Sequence, residues 1–421
     1  MVYIHGGSLK TGQPWYEDYA GTGLAKSGVI YVNLAYRLGV FGFYGNKDLQ
    51  AESPDHTTGN YGLLDQIQAL KWVQENIAAF GGDPDNVTLA GESAGSACVS
   101  ALLSAPLAKG LFRRAILESS TVDAPVPAHS YRTFEDTLEA GEDLYRKTGM
   151  QTPEQLRTLS AGELVPYTEN NHHITPDGVV LEGDPYQLIR DGQQLNAEEI
   201  LHGYNADESD AFVLFDKFTK ENFAGKLEQY CRDIVPDWQS LEQIYPVRDD
   251  VQADEAMHEI LSGLWFGYGH ECLTRQALAQ GIPVYEYYFA QENGRLGSWH
   301  SGEEVYCYGN IPADSDLYTG EDRMLSSVML TYWRNFAQTG NPNESADGDS
   351  RVLDPYGLSG DGSLPDLPAW EPVTDPGMIT EFRADQGTYV RKAEIPYWKL
   401  YDALDSSYQA GGQARQVPEG N

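Results

Sequence analysis

The order of elements in the sequence predicts an α/β protein built on a mainly parallel sheet with helices on both faces. Three observations carry this. Short runs rich in β-branched and aliphatic residues alternate with longer stretches of helical period. The short runs read as buried strands. Several of the helical stretches are closed by glycine, a residue that ends a helix without strain.

The chain starts on such a run, Val2-Tyr3-Ile4, which leads straight into His5-Gly6-Gly7. GVIYVNLAYRLG (28–39) is a second buried strand that ends in a charged and glycine-containing turn. Between 60 and 82, Leu63, Leu64, Ile67, Leu70, Val73 and Ile77 recur at spacings of three and four, which makes an amphipathic helix stopped at Gly81-Gly82. NVTLAGESAG is a strand and a sharp turn, followed by an apolar helix, SACVSALLSA, and another short strand in RRAILESS (113–120). Residues 129–170 are polar and helix-prone and read as an insertion. EEILHGYNADESDAF (198–212) returns to strand and loop, and 217–281 is helical, with Trp265 and Phe266 expected in the core. PVYEYYFA (283–290) is a strand, MLSSVMLTYWRNFAQTG (324–340) a helix closed by Gly340, and 344–366 a loop. A last strand or helix closes the fold. The expectation is one domain over 1–421, with 129–175 and 210–280 as cap insertions and 407–421 as a flexible tail.

Acidic residues outnumber basic ones 63 to 28, a net charge of −35. That surface argues against nucleic acid, whose phosphates need lysine and arginine. It bears first on solubility, and secondarily could favour a cationic substrate in an acidic gorge. No run approaches a membrane span, and no leader is visible, which favours a cytoplasmic location. The four cysteines, Cys98, Cys231, Cys272 and Cys307, are scattered without a CxxC pair, so free buried thiols are expected and zinc is not.

GESAG (91–95) is a G-x-S-x-G. Its physical content is a tight strand-to-helix turn that lifts Ser93 above the sheet edge at a helix N-terminus, where free N–H groups face any anion formed. The motif alone is weak. Apolar strand residues before it, Val87 and Leu89, and an apolar helix after it supply the setting that gives it meaning.

FGGDPDNVTLAGESAG (80–95) resembles the active-serine signature of the type-B carboxylesterases, the carboxylesterase and cholinesterase family of the α/β-hydrolase fold. GNYGLLDQIQALKWVQENI, YRLGVFGF, WRNFAQTGNPN (333–343) and LPAW (367–370) are similar to further segments of that family, so the resemblance covers almost the whole chain. It implies an α/β-hydrolase fold with helical cap insertions and a serine esterase acting on small to medium carboxylic esters without cofactor or metal. Two other readings stand beside it. One is cleavage of another acyl class, feruloyl ester, lactone or amide. The other is a non-catalytic, cholinesterase-like binding protein, since the family includes adhesion proteins that have lost the serine. The sequence does not give the oligomeric state.

A serine hydroxyl needs a base, and the base needs an orienting acid. In this fold they follow in the order serine, acid, histidine. His258 and His270 lie in helical patterns, whereas His300 sits in a loop after a strand, LGSWHSGEEVYCYGN. That loop resembles the family's histidine motif, with Glu303, Tyr306 and Tyr308 at the matching positions; the competing reading is a loop histidine held by Glu303 or Glu304. GYNADESDAF (203–212) resembles the family's acid loop with Glu208 as the acid; Asp207 and Asp210 are neighbours the residues alone leave open. Ser209 stands where the family has glycine, which is expected to alter the loop backbone.

The oxyanion donors implied are the N–H groups of Ala94, just after the nucleophile, and of Gly7 and Ser8 in YIHGGSL, which resembles the family's glycine loop. Ser8 and Leu9 replace the family's usual small residue and phenylalanine. Family members carry further strands ahead of the position matching Met1, including an E-D-C-L-x-L type segment. The chain therefore reads as a truncated version, a fragment or a gene model begun at an internal Met, with a sheet edge and part of the gorge wall uncovered. Ser8→Gly is expected to widen the range of bulky alcohols accepted, measured as kcat/KM across a graded ester panel; an unchanged profile would remove the tuning role of Ser8.

Overall fold

The computed structural model describes residues 1–170, 172–349, 351–359 and 364–414. Its strands are β1 (Val2–Ile4), β2 (Val32–Leu34), β3 (Thr88–Glu92), β4 (Arg114–Glu118), β5 (Glu199–Asn205), β6 (Val284–Phe289), β7 (Met378–Asp385) and β8 (Thr388–Glu394). They form one eight-stranded sheet in the order β2-β1-β3-β4-β5-β6-β7-β8. Every pairing is parallel up to β7, and β8 returns antiparallel. Where one closing strand or helix was expected, there is a hairpin and then a helix. Gln386 and Gly387, at φ 49° and 85°, make the two-residue turn, whose left-handed backbone conformation matches the right-handed twist of the strands it joins.

The main helices are α1 (Tyr61–Asn76), α2 (Ala94–Ser104), α3 (Phe134–Thr148), α4 (Asp250–Ser262), α5 (Tyr268–Ala279), α6 (Gly320–Thr339) and α7 (Trp398–Ala414). Alternation along the strands divides the core. Val2, Ile4, Leu89, Leu117 and Ile200 face α1 and α2. Tyr3, Ala90, Ile116, Leu201 and Tyr287 face the aromatic side of α6, including Trp333 and Phe336. Both faces are therefore covered, which is what a parallel sheet requires.

A third cluster joins α4, α5 and α7. Between α4 and α5 the helix widens into a π-turn, Gly263–Gly267. Phe266 is buried there as expected; Trp265 is only partly buried, packed against the third cluster. The segment read as a tail is helical as far as Ala414, and the buried Ser407 hydroxyl accepts the Asp237 N–H at 2.8 Å. Residues 415–421 lie outside the described residues. The four cysteines are unpaired and buried. Among the described residues, no helix is long and apolar enough to cross a membrane.

The closest backbone approach in the sheet sets α2 against β1. A Cβ on Gly95 would lie 2.0 Å from the Ile4 carbonyl oxygen, so only glycine lets the helix start where it does. Every residue of α2 is buried, and small side chains (Ala, Ser, Gly) dominate its first half. Gly95→Ala should therefore lower stability by about 1–3 kcal/mol through overpacking, read as a lower urea midpoint; an unchanged midpoint would show that the two elements can separate without cost.

Candidate active site

The functional side chains lie at the carboxyl ends of β3, β5 and β6, where loops of a parallel sheet gather. Ser93 follows β3 directly and holds φ 55°, ψ −126°. Such a conformation costs on the order of 1–3 kcal/mol and persists only when its surroundings fix it. Here the Ser93 N–H donates to the Glu118 carbonyl at 2.9 Å, while the Ser93 carbonyl accepts from Ala97 N–H at 2.9 Å. The strand ladder thus holds one side of the turn and the helix the other.

His300, in the loop after β6, places Nε2 2.8 Å from Ser93 Oγ and Nδ1 2.6 Å from Glu208 Oε2. Glu208 is fully buried, and its second oxygen accepts the Asn205 N–H at 2.9 Å. The structure thus brings Ser93, His300 and Glu208 together in one hydrogen-bonded line. The neighbouring acids do other things. Asp207 accepts the Ser298 N–H at 3.2 Å, and Asp210 pairs with His258 at 2.7 Å. Glu303 accepts from Ser119 and Tyr287, and Glu304 from Tyr3, so neither hydrogen-bonds His300 as the competing reading required. His270 is buried against His202 at 2.9 Å. Ser209 lies at φ −68°, a helical value that serine adopts without strain. Its N–H donates to Ser262 Oγ at 3.0 Å.

Sequence reasoning missed Glu92, the variable position of GESAG. Its Oε1 lies 3.4 Å from His300 Nε2 and accepts from Ser301 Oγ at 2.5 Å. Burial, then the charges of Glu304 and Glu303, push its carboxyl well above the usual range. The available signal was a carboxylate adjoining Ser93 at the end of a mostly apolar strand.

Gly7 holds φ 107°, and a Cβ there would lie 2.3 Å from the Thr11 carbonyl oxygen. Its own carbonyl turns back to accept from Lys10 and Thr11 N–H at 3.1 and 3.0 Å. Ser8 and Leu9 follow at φ 55° and 59°, Ser8 exposed and Leu9 fully buried. The N–H groups of Gly7, Ser8 and Ala94 donate no hydrogen bond among the described residues.

Above Ser93 lies a cavity of about 260 Å³, walled by Ser8 and Ala94, by His129 and His173 from the β4–β5 connection, and by Phe212 and Phe266 from the β5–β6 connection. Lys10 and His172 also line it, and among the described residues no aspartate or glutamate does, which gives no support to an acidic gorge. Larger hollows, about 640 and 480 Å³, lie away from Ser93 and touch none of the three aligned residues. Among the described residues no group of His, Cys, Asp or Glu could hold a metal ion.

A mainly parallel sheet with a serine on a strained strand-to-helix turn, and a histidine and an acid on later loops, is the α/β-hydrolase fold. The carboxylesterase EST55 of Geobacillus stearothermophilus has a similar structure, with TM-scores of 0.74 and 0.75 at 30% identity, over 96% of this chain and 81% of that one. Fumonisin B1 esterase of Sphingopyxis macrogoltabida is 32% identical over 367 residues, 82% of this chain and 65% of that protein. Neuroligin-2 of Mus musculus is 35% identical over 394 residues, 84% of this chain and 45% of that protein. The carboxylesterase family profile matches residues 1–394, and the chain belongs to that family. It spans 65% of the length of the first of these curated relatives and 45% of the second.

Beneath the site, Glu118 is fully buried, accepting from Trp333 Nε1 at 2.6 Å and Tyr308 OH at 2.9 Å. Burial, then Glu303, pushes its carboxyl from 4.5 up to about 8. Below about pH 4.5 the group is protonated in the folded and unfolded chain alike. As pH rises toward 8 only the unfolded chain releases the proton, so the stability this group contributes is lost across that window. Urea midpoints should descend between about pH 5 and pH 9, and descend less in Glu118→Gln; parallel curves would contradict the assignment.

Proposed function

We propose that this protein hydrolyses carboxylic esters through an acyl-enzyme on Ser93. The observation that carries the reading is the unbroken line from Ser93 Oγ through His300 to Glu208, at 2.8 and 2.6 Å. His300 Nε2 takes the Ser93 proton as Oγ attacks the ester carbonyl carbon. Glu208, accepting the Nδ1–H, holds the tautomer that leaves Nε2 basic and then stabilises the imidazolium. The N–H groups of Gly7, Ser8 and Ala94 receive the negative charge that develops on the carbonyl oxygen, each such donor being worth about 2.7–4 kcal/mol. The alcohol leaves with the proton from Nε2. Water then attacks the acyl carbon, His300 takes its proton, and the acid departs as Ser93 recovers its hydrogen.

The likeness to neuroligin-2 favours a second reading, a binding protein on the same fold. Retention of all three aligned residues weighs against it, because function is argued from the site and not the fold. Ser93→Ala should abolish turnover of p-nitrophenyl acetate and labelling by a fluorophosphonate probe. Glu208→Gln should keep the labelled serine but lower kcat by about three to four orders of magnitude, since the tautomer is no longer fixed. Full turnover in Ser93→Ala, or no labelling of the unaltered protein, would overturn the esterase reading.

A further inference from the structure

The wall of the cavity above Ser93 differs in kind from an apolar acyl pocket. His129 is set there by aromatic contacts: Phe212 and Phe266 at 5.5 Å between ring centroids, and the edge of Trp265 at 5.2 Å. Phe212 and Phe266 also pack on His300, at 5.0 and 4.9 Å, so His129 stands one aromatic layer from Ser93's partner. His173 joins the same wall, stacked on His172 at 4.7 Å. Neither ring nitrogen of His129 or of His173 has a hydrogen-bond partner among the described residues. Nε2 of His129 and Nδ1 of His173 are closed off from solvent. Both residues line the cavity, so a molecule seated there meets rings whose nitrogens are unpaired.

From this geometry we propose that the ester taken by the site is small and hydroxylated, with an uncharged hydroxyl seated against His129 and His173; the inference rests on the esterase reading above. Several features favour that class. Burial lowers the pKa of His129 to about 4 and of His173 to about 3, so both rings are neutral near pH 7. A neutral imidazole nitrogen is either a donor or an acceptor, and a hydroxyl can answer both. A plain alkyl chain would cover these nitrogens without pairing them, and a polar group left unpaired on burial is costly. A carboxylate would find two uncharged rings and Lys10, which already has a partner. The volume, about 260 Å³, is at the small end of ligand sites, which suits a short chain.

Acid release by the full chain should be followed for two matched pairs. Ethyl 3-hydroxybutyrate against ethyl butyrate places the hydroxyl on the acyl side. 2-Hydroxyethyl butyrate against propyl butyrate places it on the alcohol side. In one pair the hydroxylated ester should lead by about tenfold or more in kcat/KM, as expected of a site built to hydrogen-bond its substrate. In His129→Phe and His173→Phe the ratio for that pair should fall toward one. Alkyl esters equal or ahead in both pairs would overturn the proposal. So would monoethyl succinate ahead of the hydroxylated esters, or a ratio that neither substitution changes. The comparison in the unaltered protein stands even if a variant fails to fold. Fluorophosphonate labelling separates the two levels: a labelled, active protein that prefers alkyl esters sinks only the substrate class, whereas an unlabelled and inactive one sinks the esterase reading and this inference with it.

Discussion

The turn at Ser93 is the constraint on which the rest of the site depends. Its backbone, at φ 55° and ψ −126°, is held between a strand hydrogen bond to Glu118 and the first turn of α2. That helix can begin there only because Gly95 presents no Cβ to the Ile4 carbonyl. The same β1 strand runs directly into the Gly6-Gly7 loop. The serine and the loop opposite it are therefore positioned by one contact between two backbones. A shift of α2 would move both together.

Beneath this turn, carboxylates do the work that an apolar core does elsewhere. Glu118 ties β4 to Trp333 of α6 and to Tyr308, Glu304 ties the helical turn after His300 to Tyr3 of β1, and Glu303 ties it to Ser119. All are buried, and among the described residues no lysine or arginine hydrogen-bonds any of them. Burial raises the pKa of each. Hydrogen bonds of this kind are directional, so they fix the loop that carries His300 more closely than packing alone would.

Much of this was legible in the sequence, for reasons that differ by element. Strands β1 to β6 and helices α1, α2 and α6 announce themselves because burial on both sheet faces forces continuous apolar runs and a helical period. Ser93 was legible because a strained turn needs glycines around it. His300 and Glu208 were found through chain order and resemblance, since nothing local distinguishes Glu208 from Asp207 and Asp210; only the folded distances do. The closing hairpin was less visible. Its strands are polar and half exposed, and the Gln386-Gly387 turn is a quiet signal beside Asn-Gly or Asp-Gly. Glu92 and His129 were passed over because their roles come from contacts across the sheet and between insertions. Net charge said nothing about the cavity, because a whole-chain sum carries no information about which side chains line a small space.

Much of the cavity wall comes from other stretches of chain than the aligned residues, though Phe212 shares the β5–β6 connection with Glu208. His129 and His173 belong to the connection between β4 and β5, Phe212 and Phe266 to the one between β5 and β6. Ser93, Glu208 and His300 hang on strand ends or close beside them. Insertions and substitutions in those connections can reshape what enters the space while the strand ladder keeps the hydrogen-bonded line at its distances. Selectivity and reactivity are thus written in separable parts of the chain, and a lineage could exchange one while inheriting the other intact.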